Sequence, residues 1–405
     1  MMIIGIIGGG ASGMAAAITA AENPDVQVHL FERQARVGKK LLATGNGRCN
    51  LTNRYADIRG YHGENTSFAQ FALSVFSVDS TLDWFRKLGL FTVTEEGGRV
   101  YPYSDQANSV VDVLRFALEK PNITLHTAFE VKRIRHNGVG FSVQGEDETI
   151  CCDRLIVACG GLAGTKLGGS MSGYKLLAQM GHKATRLRPT LVQLKSGWGG
   201  ISGLKGVRSH CHIAILKDGQ VYCESVGEIQ FTDYGISGPV VFEVSRDVCV
   251  GAEDWSAMID FLPGCTESTL YGELCRRKQT NLLSDELLTG ILHNRLGRVL
   301  TRAAGIKEQK PVSSLTDDQL KAVSSAVKGF QLSLTEPMGM DSAQVTAGGV
   351  ITADFDPQTM ESKLVPGLYA CGEVLDIDGD CGGYNLQWAW SSGRLAGQSA
   401  GKGEA

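Results

Sequence analysis

Ile3-Ile4-Gly5-Ile6-Ile7-Gly8-Gly9-Gly10-Ala11-Ser12-Gly13 is the stretch from which the rest of the chain is read. Ile3 to Ile7 is a short apolar run, the pattern of a fully buried parallel strand. It ends in a G-x-G-x-x-G pattern formed by Gly8, Gly10 and Gly13. An alanine-rich predicted helix, Ala11 to Ala21, follows, and Pro24 closes the region. Val26 to Glu32 reads as a second strand. Strand, helix and strand over about thirty residues make a βαβ unit with parallel strands and a right-handed crossover. In such a unit Gly8 permits the tight turn, Gly10 admits a pyrophosphate close to the backbone, and Gly13 lets helix and strand approach. Ala11 and Ser12 open the helix, whose free N–H groups and partial positive charge face the phosphates.

Glu32 lies 19 residues beyond Gly13, at the end of the second strand. A carboxylate there accepts hydrogen bonds from ribose hydroxyls and repels a 2′-phosphate, which disfavours NADP at this site. Arg33 follows, then the glycine-rich run from Val37 to Asn50. Its Lys40, Thr44, Gly45, Asn46, Gly47, Arg48, Cys49 and Asn50 combine backbone freedom, cations and amides, which suits the ribityl and pyrophosphate part of FAD. Cys49 has no partner cysteine a few residues away, against a dithiol reductase. Val131 is a candidate for backbone contact with adenine. Ala158, Gly160 and Gly161 form a strand end and glycine turn of the kind that crosses near the cofactor.

The C-terminal region carries a second glycine system. Gly367 to Ala370 reads as a strand ending in Gly372-Glu373, and Asp380, Gly382, Gly383, Tyr384 and Asn385 open a predicted helix to Ala396. A helix N-terminus there faces the N1 and O2 edge of a flavin, where negative charge develops on reduction. Gly348 offers another close backbone approach.

The intervening chain changes texture twice. After Pro189, strand-like segments at Cys211 to Leu216, Gln220 to Glu224, Glu228 to Thr232 and Ala257 to Phe261 are separated by turn signals such as Asp218-Gly219. From Thr266 to Phe330 helical spacing takes over, as in Leu283, Leu287, Leu288, Ile291, Leu292 and Leu296, and Ser314 to Asp317 resembles a capping start. The fold class expected is α/β: a Rossmann-type FAD-binding domain (1–189 and 347–405), interrupted by an antiparallel, β-barrel-like domain (190–264 and 331–346) and a small helical cap (265–330).

Bulk properties narrow the partners. With 405 residues, 43% of them hydrophobic, the chain can bury a large core. A net charge of −4 argues against a nucleic-acid binder. The basic run His182, Lys183, Arg186, Arg188 reads as a solvated face. Eleven scattered cysteines, without a C-x-x-C or a zinc spacing, read as reduced thiols in a cytoplasmic protein with no metal site. The apolar N-terminus lacks the positive region of a signal peptide, and no later run has 18 uncharged apolar residues, so no membrane span is expected. Oligomeric state is not legible.

Several segments resemble the YhiN/BaiN-like bacterial FAD-dependent oxidoreductases, relatives of fumarate-reductase-type flavoproteins. They are Gly38 to Asn53, Gly98-Arg99-Val100-Tyr101-Pro102, Phe231 to Pro239, and Thr359 through Gly393. The resemblance spans nearly the whole chain. It implies FAD, the interrupted domain order above and, for some members, NADH-dependent reduction of enone double bonds in oxidised bile acids. Others carry an aminoacetone-oxidase label. The chain departs from the family pattern at Asp233, where His is expected, and at Cys381, where Thr is expected.

Enone reduction needs a group that polarises the carbonyl and one that protonates carbon. Tyr384, Arg48, Tyr101 and Asp233 are the candidates, with Tyr384 first because its hydroxyl adjoins the flavin-facing turn. There is no second G-x-G-x-x-G, so NADH or NADPH must reach the flavin through the substrate cleft. The sequence thus points to an FAD-dependent oxidoreductase acting on a hydrophobic small molecule. A flavin oxidase of a small amine or other metabolite, or a flavin-binding protein without turnover, stays open.

Overall fold

The computed structural model describes residues 1–246, 248 and 254–402, which form two compact units, Met1–Pro189 with Gln344–Ala405, and Thr190–Ala343. The first unit is built on a five-stranded parallel sheet. Its strands run in the spatial order Leu368–Ala370, Arg154–Val157, Met2–Ile7, Val26–Phe31, Ile123–His126. The first strand is central, so Ile4 and Ile6 are fully buried, as the unbroken apolar run requires. Its helix, Ala11–Ala20, is buried from Ser12 to Ala20, so its small side chains face neighbours nearly all round.

The C-terminal helix, Tyr384–Ala400, lies directly against that first helix. Two glycines make this possible. A Cβ on Gly393 would sit 2.4 Å from the Ser12 carbonyl oxygen, and one on Gly397 2.3 Å from that of Ala16. The last helix is thereby clamped to the helix that follows the Gly8–Gly13 turn. Its Trp388 and Trp390 are buried and anchored by indole N–H bonds to the carbonyls of Gly372 (3.1 Å) and Leu51 (2.9 Å).

One sheet face carries an aromatic cluster. His29, Phe31 and His126 stack with ring centroids 5.0–6.4 Å apart, and His29 Nδ1 and His126 Nε2 share a 2.9 Å hydrogen bond. Burial holds both imidazoles below the usual histidine range, His126 pushes His29 further down, and Glu148 partly opposes this. The unfolded chain therefore takes up protons where the folded chain does not. Stability is complete above the ordinary histidine value, about 6.5, and is lost as pH falls through and below it. The melting temperature is expected to drop between pH 7 and 5, less so in His29→Gln. A melting temperature that rises on acidification contradicts this account.

The second unit contains a closed antiparallel barrel. Its strands are Leu194–Ser196, Gly235–Ser237, Gln220–Phe231, Arg208–Lys217, Trp255–Asp260 and Phe330–Pro337, in spatial order. Period-two burial is plain in Trp255, Ala257, Ile259 and in Phe330, Leu332, Leu334. The expected Asp218-Gly219 hairpin forms, with φ of 49° and 79°. Helices Glu267–Arg277, Asn294–Ala303 and Asp317–Lys328 share one hydrophobic core with the barrel. The last starts at a capping box in which Thr316 and Gln319 exchange side-chain-to-backbone bonds.

Three expectations need correction. Gln220–Glu224 and Glu228–Thr232 are one strand, Gln220–Phe231, because Gly227 continues the ladder opposite Cys211. Leu283 to Leu292 is not helical: one 3-10 turn, Ser284–Glu286, leads into irregular turns that still bury Leu287 and Leu288. His182 is no part of a solvated face. It is 3% exposed, stacks on Phe355 at 4.5 Å and shares a 2.9 Å hydrogen bond with Ser362 Oγ.

Candidate functional site

The three glycines of the first loop divide the work as their positions require. A Cβ on Gly8, where φ is +111°, would meet the Ala158 carbonyl oxygen at 2.4 Å. One on Gly13 would lie 1.8 Å from the Gly8 oxygen, so helix and strand touch there. Over Gly10 none of the described residues lies within 4 Å of the Cβ position, and the same holds at Gly160. This open space above a backbone turn is the cradle a pyrophosphate needs. The first intrahelical bond runs from Met14 N to Gly10 O (3.0 Å), which leaves the N–H groups of Ala11, Ser12 and Gly13 without an intrahelical partner.

Glu32 borders this cradle. Its Oε2 accepts from Gly9 N (2.8 Å) and its Oε1 from Gln34 N (2.7 Å). Each oxygen keeps a lone pair for a ribose hydroxyl. Val131 is buried nearby: Ala128 N and Phe129 N donate to the carbonyls of Gln34 (2.8 Å) and Glu32 (2.9 Å), so this segment is laid against the exit of the second strand. The Arg33 guanidinium bonds the Gly168 carbonyl. A cavity of about 440 Å³ opens here, lined by Gln34, Ala35, Arg36, Lys39, Leu42, Ala43 and Leu167.

The 38–50 loop is pinned to the C-terminal glycine turn. Lys40 Nζ reaches Glu373 Oε2 at 2.8 Å, and Glu373 Oε1 accepts from Thr346 N at 2.9 Å. Thr346 Oγ1 in turn accepts from Ala163 N at 2.9 Å, which fixes the turn of Ala158, Gly160 and Gly161. Thr346 is a positioning residue that the sequence reading passed over, although it directly precedes Ala347-Gly348. Gly45 (φ 58°), Asn46 (57°) and Cys49 (62°) hold left-handed conformations, and Asn50 Oδ1 is buried with no hydrogen-bond partner among the described residues. A buried orphan acceptor in a strained loop is a place where a bound polar ligand supplies the missing donor. The open Gly10 cradle, the Glu32 acceptors and Asn50 together fit a flavin dinucleotide. Thr44 Oγ1 bonds back to Leu41 O (2.7 Å) and shapes the loop from within.

Around the second turn, Gly382 and Gly383 have φ of 103° and 108°, and a Cβ on Gly383 would lie 2.4 Å from the Thr52 carbonyl carbon. Asn53 Nδ2 donates to the Gly382 carbonyl at 3.0 Å. Gly372 is buried against Ser12, and its N–H donates to Ser392 Oγ at 3.0 Å. The Gly348 Cβ position lies 2.4 Å from the Arg186 carbonyl oxygen. Asn385 is occupied structurally: its amide bonds both N and O of Gly379, at 2.9 and 2.7 Å. The first bond of the C-terminal helix is Gln387 N to Gly383 O (3.0 Å), so its leading N–H groups lack intrahelical partners.

The catalytic candidates fare differently. Tyr384 stands at the helix start with its hydroxyl 3.3 Å from the Tyr55 carbonyl, and burial, then Asp380, raises its pKa. Arg48 is engaged by Glu95 and Asp105 and lies over the Tyr101 ring at 4.0 Å, so its charge is already compensated by protein groups. Asp233 belongs to the second unit, where Lys205 bonds it at 2.8 Å and holds its carboxyl below the usual range. It is therefore ionised at neutral pH and has no proton to give. Burial pushes the thiols of Cys49, Cys159 and Cys371 up to about 12, which makes them packing groups rather than nucleophiles. One titratable pair escaped the sequence reading: His62 Nε2 and Asp380 Oδ1 are 2.7 Å apart.

A family model described as the HI0933-like protein Rossmann domain matches residues 2–399. The chain belongs to the HI0933-like family. This HI0933-like chain is 42% identical, over 98% of both chains, to a protein of Clostridium scindens named 3-dehydro-bile acid delta(4,6)-reductase. It is 33% identical to the ribosomal RNA dihydrouridine synthase of Escherichia coli, over 96% of this chain and 95% of that one. Its fold is shared with a flavocytochrome c3 fumarate reductase (TM-score 0.51, 16% identity, 99% of this chain and 78% of that one). It is shared also with a 3-ketosteroid delta1-dehydrogenase of Sterolibacterium denitrificans (TM-score 0.52, 11% identity, 99% and 100%). The resemblance read from the sequence is thus borne out by the family match, and the cradle of this HI0933-like chain fits FAD. Among the described residues no helix is long and apolar enough to cross a membrane.

Proposed function

We propose that this chain reduces a carbon–carbon double bond conjugated to a carbonyl in a hydrophobic, bile-acid-like small molecule, with FAD as cofactor and NADH or NADPH as the electron source. The observation that carries the proposal is the 42% identity, end to end, with a 3-dehydro-bile acid delta(4,6)-reductase. Bound FAD supplies the hydride. The protein's part is positioning and electrostatics. Gly8 to Gly13 and Glu32 hold the dinucleotide end, and Lys40, Glu373 and Thr346 fix one glycine turn relative to the other. The Tyr384 hydroxyl polarises the substrate carbonyl by exchanging its 3.3 Å bond to Tyr55 for one to the ligand.

The 33% identity with a ribosomal RNA dihydrouridine synthase favours a second reading. Making dihydrouridine also saturates a double bond conjugated to a carbonyl, so the two readings share a reaction class and differ in substrate size. The net charge of −4 supports the small molecule, because RNA recognition leans on cationic surface. The test is anaerobic reduction of the flavin followed by mixing either with a steroidal 4-en-3-one or with unmodified ribosomal RNA. Reoxidation by the steroid alone is the expected result. Reoxidation by RNA alone establishes the second reading instead.

A further inference from the structure

We propose that His62, oriented by Asp380, is the acid that protonates the substrate carbon; this rests on the double-bond reduction proposed above. The segments that carry the pair are held together by backbone hydrogen bonds. Tyr61–His62 and Asp378–Gly379 are paired antiparallel strands, with His62 opposite Asp378. Asp380 N donates to Gly60 O at 2.9 Å, and the Asn385 amide brackets Gly379. The 2.7 Å contact between His62 Nε2 and Asp380 Oδ1 is therefore preset.

Three features distinguish this pair from an ordinary surface ion pair. It converges with Tyr384: the Tyr384 ring and Asp380 Oδ2 lie 2.4 and 3.0 Å from the point a Gly60 Cβ would occupy. It is reachable, with side chains 33% and 49% exposed. Its ring is used at one nitrogen only, since Nε2 faces Asp380 and Nδ1 has no partner among the described residues. A carboxylate on one imidazole nitrogen orients the ring and leaves the other nitrogen for proton transfer. The competing donors are poorly suited. Asp233 is held ionised by Lys205, and the Tyr384 phenol, its pKa raised, keeps its proton and can only polarise.

The step balances. A hydride adds to the β-carbon, and the double-bond pair moves toward the carbonyl oxygen, beside Tyr384. As that pair returns, the α-carbon forms a C–H bond while the His62 Nδ1–H bond breaks. The substrate gains two electrons and two hydrogens, and His62 is reprotonated from water.

The experiment compares wild type, H62Q, H62A and D380N as flavin-loaded proteins. Each is reduced anaerobically with NADH and then mixed with a 4-en-3-one steroid. The expected result is unchanged flavin content and unchanged reduction by NADH, with reoxidation by steroid slowed roughly 10²–10⁴-fold in H62Q. Added imidazole restores part of the rate in H62A, and D380N loses a smaller factor. Independently of turnover, the proton NMR spectrum of the wild type should show a downfield imidazole N–H signal that H62Q and D380N lack. Wild-type reoxidation rates in H62Q overturn the proposal, and so does loss of flavin in H62Q with no imidazole rescue in H62A. Failure of the wild type itself to be reoxidised by any enone removes the underlying reading as well, and is separately visible.

Discussion

Gly10→Val is expected to give a folded protein that carries no flavin, whereas Gly13→Val is expected not to fold. The two glycines are three residues apart in one motif, and substitution meets opposite surroundings. Above Gly10 there is open space, and its φ of −82° is accessible to valine. The new side chain therefore costs the apo protein little and fills the room a pyrophosphate needs. At Gly13 a Cβ would lie 1.8 Å from the backbone oxygen of Gly8, and no rotamer relieves a backbone clash. Circular dichroism and the visible spectrum separate the outcomes. Flavin retained in Gly10→Val contradicts the cofactor placement.

Glu32→Ala is expected to weaken FAD binding by about 3 kcal/mol, roughly 150-fold in Kd, as the loss of charge-assisted hydrogen bonds implies. Two of these bonds lie within the protein, to Gly9 N and Gln34 N, so the loop itself loses a brace when the carboxylate is removed. The ribose contacts are lost in addition. Glu32→Gln keeps the shape and one acceptor and should fall between. Fluorescence titration of the apoprotein with FAD measures both. An unchanged Kd in Glu32→Ala places the ribose elsewhere.

The parts legible from sequence were those whose signals are local. Apolar runs ending in glycine gave the parallel strands, because a strand buried on both faces needs no alternation. Gly8, Gly10 and Gly13 carried their roles in their spacing. Leu283 to Leu292 misled because helical spacing also suits a chain that tucks successive leucines under a core by turns. His182 was misplaced because its cationic neighbours suggested a surface, while Phe355 and Ser362, which bury it, lie far along the chain. The same distance problem hid the partners of Arg48, Glu95 and Asp105, at 47 and 57 residues. It hid the His62–Asp380 pair more completely, at 318 residues, since nothing around Tyr61-His62-Gly63 resembles a motif.

The most direct measurement of the central claim is an anaerobic titration of the purified protein with NADH, followed through the visible flavin absorbance. An FAD-dependent reductase predicts bleaching complete near one equivalent of NADH and recovery of the band when a 4-en-3-one is added. A flavin band that persists through excess NADH, or a protein that neither carries nor takes up FAD, contradicts the account.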